Sequence, residues 1–89
     1  SRRDLGISLS RLADLASKPD TPEGRARAKD LYTRKLALDQ ENHQTRPCDQ
    51  TVGDLRFTYY QLYSLAKAEG TPEGDAESRR WAQAFHALG

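Results

Sequence analysis

The chain has almost nothing from which to build a β-sheet or a covalently braced fold. Ile and Val occur once each, at Ile7 and Val52, and β-branched apolar residues are what pleated cores favour. The single cysteine, Cys48, excludes an intramolecular disulfide and with it a small secreted disulfide scaffold. No apolar run approaches the roughly 18 residues of a membrane span, and no signal-peptide core opens the chain. A reducing, cytoplasmic setting is expected. Neither sign of charge dominates: 14 Lys and Arg oppose 13 Asp and Glu, and the net charge is +1. The pI near 7.9 lies well below the value above about 9 of a dedicated nucleic-acid module. Methionine is missing altogether, and with Ser1 in first place this leads us to expect a piece of a longer protein.

What remains is a helix-forming inventory. Eleven Ala and eleven Leu supply most of the 36% hydrophobic residues, and both are strong helix formers. Eighty-nine residues make one small domain, and a chain of this size buries only about 60–65% of its unfolded surface. The core must be lean.

Periodicity predicts four helices. In the first, Leu5, Leu9, Leu12 and Ala16 fall at steps of four, three and four, with Leu15 beside them. Thr21-Pro22-Glu23-Gly24 then supplies a start signal: a Thr cap, a Pro at the first helical position and an acidic residue at the positive end of the dipole. The second helix carries Ala28, Leu31, Tyr32, Leu36 and Leu38 and fades into a polar connector over 41–50 that contains Pro47. Thr51 with Asp54 opens a third helix as a looser capping box, with a stripe of Val52, Leu55, Tyr59, Leu62 and Ala66. Gly70 ends it. Thr71-Pro72-Glu73-Gly74 then repeats the earlier start signal letter for letter, ahead of Trp81, Ala84, Phe85 and Leu88 on one face of a fourth helix. At this offset of 50, Leu12 falls on Leu62, Leu15 on Leu65, Ala16 on Ala66, Ala26 on Ala76, Leu31 on Trp81, Ala37 on Ala87 and Leu38 on Leu88. The expected organisation is one helical domain over 1–89, with repeat 1 at 1–40, the connector at 41–50 and repeat 2 at 51–89.

The residues that carry this repeat resemble a tetratricopeptide-type helical repeat, most of all long bacterial arrays whose first helix reads roughly RDLSxSLxxLGDL and whose second ends in LYxxxLxL. Residues 3–15, RDLGISLSRLADL, are similar to the first string, and residues 31–38, LYTRKLAL, to the second. Leu9, Leu12, Ala13 and Ala16 fit the family's scheme of large packing residues followed by a small one, as does Ala28 before Tyr32. Tyr63, Lys35 and Phe85 depart from it, standing where the family prefers small residues. The resemblance implies an all-α superhelix of two antiparallel helix pairs. The alternative is a closed four-helix bundle. Two pairs lie below the roughly three repeats that a solenoid needs to bury its faces, so the lean core reads as a missing neighbour.

Catalytic and cofactor chemistry finds little support. His43, His86 and Cys48 belong to no nucleophile or metal motif, and Gly24 and Gly74 to no phosphate loop. No enzyme activity, cofactor or metal is expected. The basic residues Arg25, Arg27, Lys29, Arg34 and Lys35 on the second helix offer an alternative role in binding nucleic acid or an anionic surface, but Asp30 and Asp39 interrupt them.

Phe57 and Tyr60 lie off the stripe of the third helix, and exposed aromatics are common interface anchors. The resemblance implies that the first helix of each pair lines a concave surface where a protein or peptide partner lies. The matching outward positions are Ile7, Ser10, Asp14 and Lys18, then Phe57, Tyr60 and Ser64. Family members that clamp a partner's terminal carboxylate use Lys and Asn there; Ser10, Asp14, Tyr60 and Ser64 make such a clamp unexpected. The other expected role for Phe57 and Tyr60 is burial against a neighbouring repeat or a second subunit.

Overall fold

Both TPEG strings start a helix by the same device. Thr21 (φ −121°, ψ 154°) and Thr71 (φ −115°, ψ 158°) stand extended, and each hydroxyl accepts a 3.0 Å hydrogen bond from the backbone N–H of Gly24 or Gly74. This satisfies a donor that the first helical turn would otherwise leave unpaired. In a computed structural model, which describes residues 2–18 and 21–88, the chain forms α1 (Arg2–Ser17), α2 (Pro22–Thr45), α3 (Asp49–Ala68) and α4 (Pro72–Ala87), with no strand among the described residues. Gly70 closes α3 at φ 68°, a left-handed conformation that glycine adopts without strain.

The junction between the second and third helices differs from expectation. The polar residues 41–45 continue α2, and the connector is only Arg46-Pro47-Cys48, so the boundaries at 40 and 51 are corrected. Asn42, His43 and Thr45 are weak helix formers, but local bonds hold the last turn. The Thr45 hydroxyl donates to the Glu41 carbonyl at 2.9 Å, the Arg46 N–H donates to the Asn42 carbonyl at 2.9 Å, and His43 Nδ1 shares a 2.8 Å hydrogen bond with Thr51 Oγ1. Pro47 then disfavours a helical Arg46. The cap of α3 is Cys48 rather than Thr51. Thr51 sits one turn in, where its Oγ1 accepts from the Cys48 N–H at 3.0 Å and donates to the Cys48 carbonyl at 2.9 Å.

The helices pack in chain order, α1 on α2, α2 on α3 and α3 on α4, and among the described residues α1 makes no packing contact with α4. The result is an open array of 36 × 25 × 14 Å, not a closed ring of four helices. Its core joins Ala13, Ala28, Tyr32, Leu36, Leu55 and Leu62, with Leu31, Tyr59, Leu65 and Trp81 packed around it. Ala13 and Ala28 are fully buried and mark the close approach of α1 to α2.

Three leucines of the α1 stripe face away from this core, while Leu9 is half-buried and Ala16 packs against the core. Leu5 and Leu12 are 53% exposed and Leu15 is 57% exposed, while Gly6 and Ala13 are buried. The reason is the number of neighbours. α1 packs on α2 alone, and small residues let that approach be close, so the helix turns these three leucines away.

Gly74 marks a second close approach. A Cβ there would lie 2.5 Å from the Ala66 carbonyl oxygen and 2.9–3.0 Å from the Glu69 side chain. Gly74→Ala is therefore expected to destabilise the fold by about 1–3 kcal/mol through overpacking, although Ala is the better helix former by about 1 kcal/mol. Thr71→Ala should cost about 1 kcal/mol by removing the cap. Urea midpoints check both, and a stabilised Gly74→Ala would contradict the packing.

Candidate functional site

The charged residues Lys35 and Asp39 share the face of α2 that carries Ala28, Tyr32 and Leu36, so helical periodicity puts an ion pair in the core. Both are about 95% buried. Lys35 Nζ donates to Asp39 Oδ2 and to Thr58 Oγ1, each at 2.8 Å, and the Thr58 hydroxyl donates to Asp39 Oδ2 at 2.5 Å. Thr58, fully buried on α3, thus ties the second helix pair to the first. Burying two charges is costly unless each is paired, and here a short triangle of hydrogen bonds pairs them.

Above this triangle runs an open groove of about 260 Å³ between α1 and α3, with Lys35 and Asp39 as its floor. Gly6, Ile7 and Ser10 form one wall and Phe57 part of the other. A Cβ on Gly6 would lie 3.8 Å from both Asp39 Oδ1 and Lys35 Cγ, so α1 passes directly over the buried pair. Phe57 is 44% exposed yet held in place. Its ring meets Tyr32 edge-on at 6.3 Å and 67°, and Lys35 Nζ lies 5.5 Å from its centroid, a cation–π distance. Burial pushes the Tyr32 hydroxyl above its usual pKa; a hydrogen bond with Ser10 opposes the shift and the nearby Asp14 adds to it. Tyr32 therefore stays protonated at neutral pH.

The expected partner-facing residues separate into groups. Ile7, Ser10 and Phe57 share the groove. Asp14 is exposed beside Tyr32, Lys18 is exposed just past the end of α1, and Ser64 is half-buried in α3. Tyr60 belongs elsewhere. Its ring lies 6.4 Å from that of Tyr63, and the two line a second groove of about 270 Å³ with Ala82, Phe85 and His86 of α4. Composition pointed away from Lys35, Asp39 and Thr58 because charged and hydroxyl residues usually mark solvent. The signal that finds them is their spacing from Tyr32, Leu36, Leu55 and Leu62.

The cations of α2 are largely engaged. Lys29 pairs with Glu77 and lies 3.6 Å from Glu69, Arg34 pairs with Asp30 at 3.2 Å, and Lys35 is buried. The larger concavity of about 610 Å³, between α2 and the start of α4, has Lys29, Asp30 and Glu69 on its wall, so both signs meet there. The exposed Cys48 thiol is held below its usual pKa by the Thr51 backbone N–H first and the Thr51 hydroxyl second. His43 faces Thr51 rather than Cys48. Among the described residues there is no group of three His, Cys, Asp or Glu placed to hold a metal, and no helix is long and apolar enough to cross a membrane.

The buried triangle predicts a pattern of variants. Lys35→Met alone should destabilise the fold by about 3–5 kcal/mol, because Asp39 is left buried and unpaired. Adding Asp39→Leu and Thr58→Val should restore most of that loss, since well-packed apolar groups replace a buried pair at little net cost. Urea denaturation reads both, and equal stability of the single and triple variants would contradict the pairing. Compared with family models, with curated proteins and with solved structures, the chain matches none.

Proposed function

We propose that this chain is a non-enzymatic protein-interaction module of tetratricopeptide-like repeats, working in the cytoplasm, in which a partner segment lies across α1 and α3. The observation that carries the reading is the groove itself. Two exposed apolar side chains, Ile7 (37%) and Phe57 (44%), flank a floor made of an internally neutralised ion pair. Arg11 and Asp54 complete the lining, so the charges of the cleft balance and it offers apolar area to a partner side chain without a net charge to attract an ion. Phe57 is also braced by Tyr32 and Lys35, so fixing it on binding costs little conformational entropy. Ser10 adds a hydroxyl at the wall, and Asp14, Lys18, Tyr60 and Ser64 extend the face to either side. The pairing of Lys29, Arg34 and Lys35 with carboxylates leaves the polyanion alternative less to work with.

Selection of short random peptides on the immobilised chain tests the reading. Peptides that bind the wild type are expected to bind Phe57→Ala at least about tenfold more weakly, a loss of ~1.4 kcal/mol, while the variant keeps its helical circular dichroism. Their affinity should depend weakly on salt. Peptides that bind Phe57→Ala as well as the wild type would contradict the groove, and a steep fall in affinity with salt would favour the polyanion alternative.

A further inference from the structure

The offset of 50 that relates the two helix pairs in sequence also relates their buried and exposed faces. On α3, Leu55 (3%), Thr58 (0%) and Leu62 (0%) are buried in the contact with α2. Their counterparts on α1 are Leu5, Ser8 and Leu12, all exposed, the two leucines at 53%. On α2, Tyr32, Lys35 and Leu36 are buried. Their counterparts on α4 are Ala82, Phe85 and His86, which line the open groove beside Tyr60 and Tyr63. The chain thus contains the α2–α3 interface once complete and each of its halves once more without a mate, at opposite ends of the array.

We infer that the chain associates head to tail with further copies of itself, the Ala82, Phe85 and His86 face of α4 in one copy seating on the Leu5 and Leu12 face of α1 in the next. The occupant follows from the repeat. A surface that fits the α1 leucines must resemble α2, and the only other segment of this chain built on the α2 pattern is α4. The polar triangle has no equivalent at this contact. Phe85 stands in place of Lys35 and Ser8 in place of Thr58, so the copy-to-copy contact joins Leu5, Leu12 and Phe85, with Ser8, His86 and Arg27 beside them, and carries no buried ion pair to desolvate. Leu15, with Leu31 behind it in a neighbouring concavity of about 320 Å³, widens the receiving face. A contact between two different surfaces does not close on itself, so each addition leaves one free head and one free tail. The contact lies away from the Ile7 and Phe57 groove and meets the proposed partner face only at Tyr60, so loss of self-association leaves the reading of that groove standing.

Analytical ultracentrifugation of the full chain tests this. The mass of the wild type is expected to rise above the 10.0 kDa of a single chain as concentration increases, with no plateau at the dimer. Leu12→Glu blocks the head and Phe85→Glu the tail, and each alone should remain monomeric. An equimolar mixture of the two should form a heterodimer and nothing larger, because one free tail meets one free head. Leu5→Glu and His86→Glu repeat the test at exposed positions should either first variant lose its helical circular dichroism. A wild type that stays at 10.0 kDa up to roughly 1 mM would overturn the inference. So would a head or tail variant that still self-associates, or a mixture that remains monomeric.

Discussion

Everything in this chain beyond a single helical hairpin depends on the contact between α2 and α3. Among the described residues it is the one place where the two helix pairs pack backbone to backbone, and at its centre an ammonium and a carboxylate, almost fully buried, pair with each other and with a hydroxyl. Attraction between Lys35 and Asp39 is offset by the cost of stripping water from both, so the pair adds little net stability. Its effect is on register. Sliding α3 by one turn along α2 would carry Thr58 away and set Leu62 or Asp54 beside the buried pair, which loses the Thr58 hydrogen bonds to both charges. A lean core is sufficient here because a few polar atoms specify the alignment.

The groove is a consequence of that alignment. With α3 fixed against α2, Phe57 is carried to the edge of the buried pair and Ile7 and Ser10 come to face it from α1. Gly6 and Ala13 let α1 lie close to α2, which turns Leu5, Leu12 and Leu15 to the outside of the array. The same small residues that shape the groove therefore create the apolar end.

Much of the architecture was legible in the sequence. The two TPEG starts, the Gly70 stop, and the small residues Ala13, Ala28 and Ala66 at buried positions all follow from local chemistry that the fold does not override. The orientation of α1 was not legible, because a periodic stripe shows which side of a helix is apolar but not whether a neighbour exists to cover it. The end of α2 was not legible, because polar residues that run up to Pro47 read as a connector until the bonds made by Thr45, Arg46 and Thr51 are known. Within the candidate site, Ile7, Ser10 and Phe57 line one groove, whereas Tyr60 lines another with α4. In the sequence Lys35 reads as one of the basic residues of α2 and Asp39 as an interruption of them; only the partner helix shows the two as a buried pair.

Native-state hydrogen exchange resolved along the chain distinguishes an open array, joined through the α2–α3 contact, from a closed bundle. Amides in the middle of α2 and α3 should exchange slowest, requiring global unfolding, while α1 and α4, each packed on one neighbour, should exchange faster through partial opening. Equal protection of all four helices would indicate a closed bundle and contradict the account.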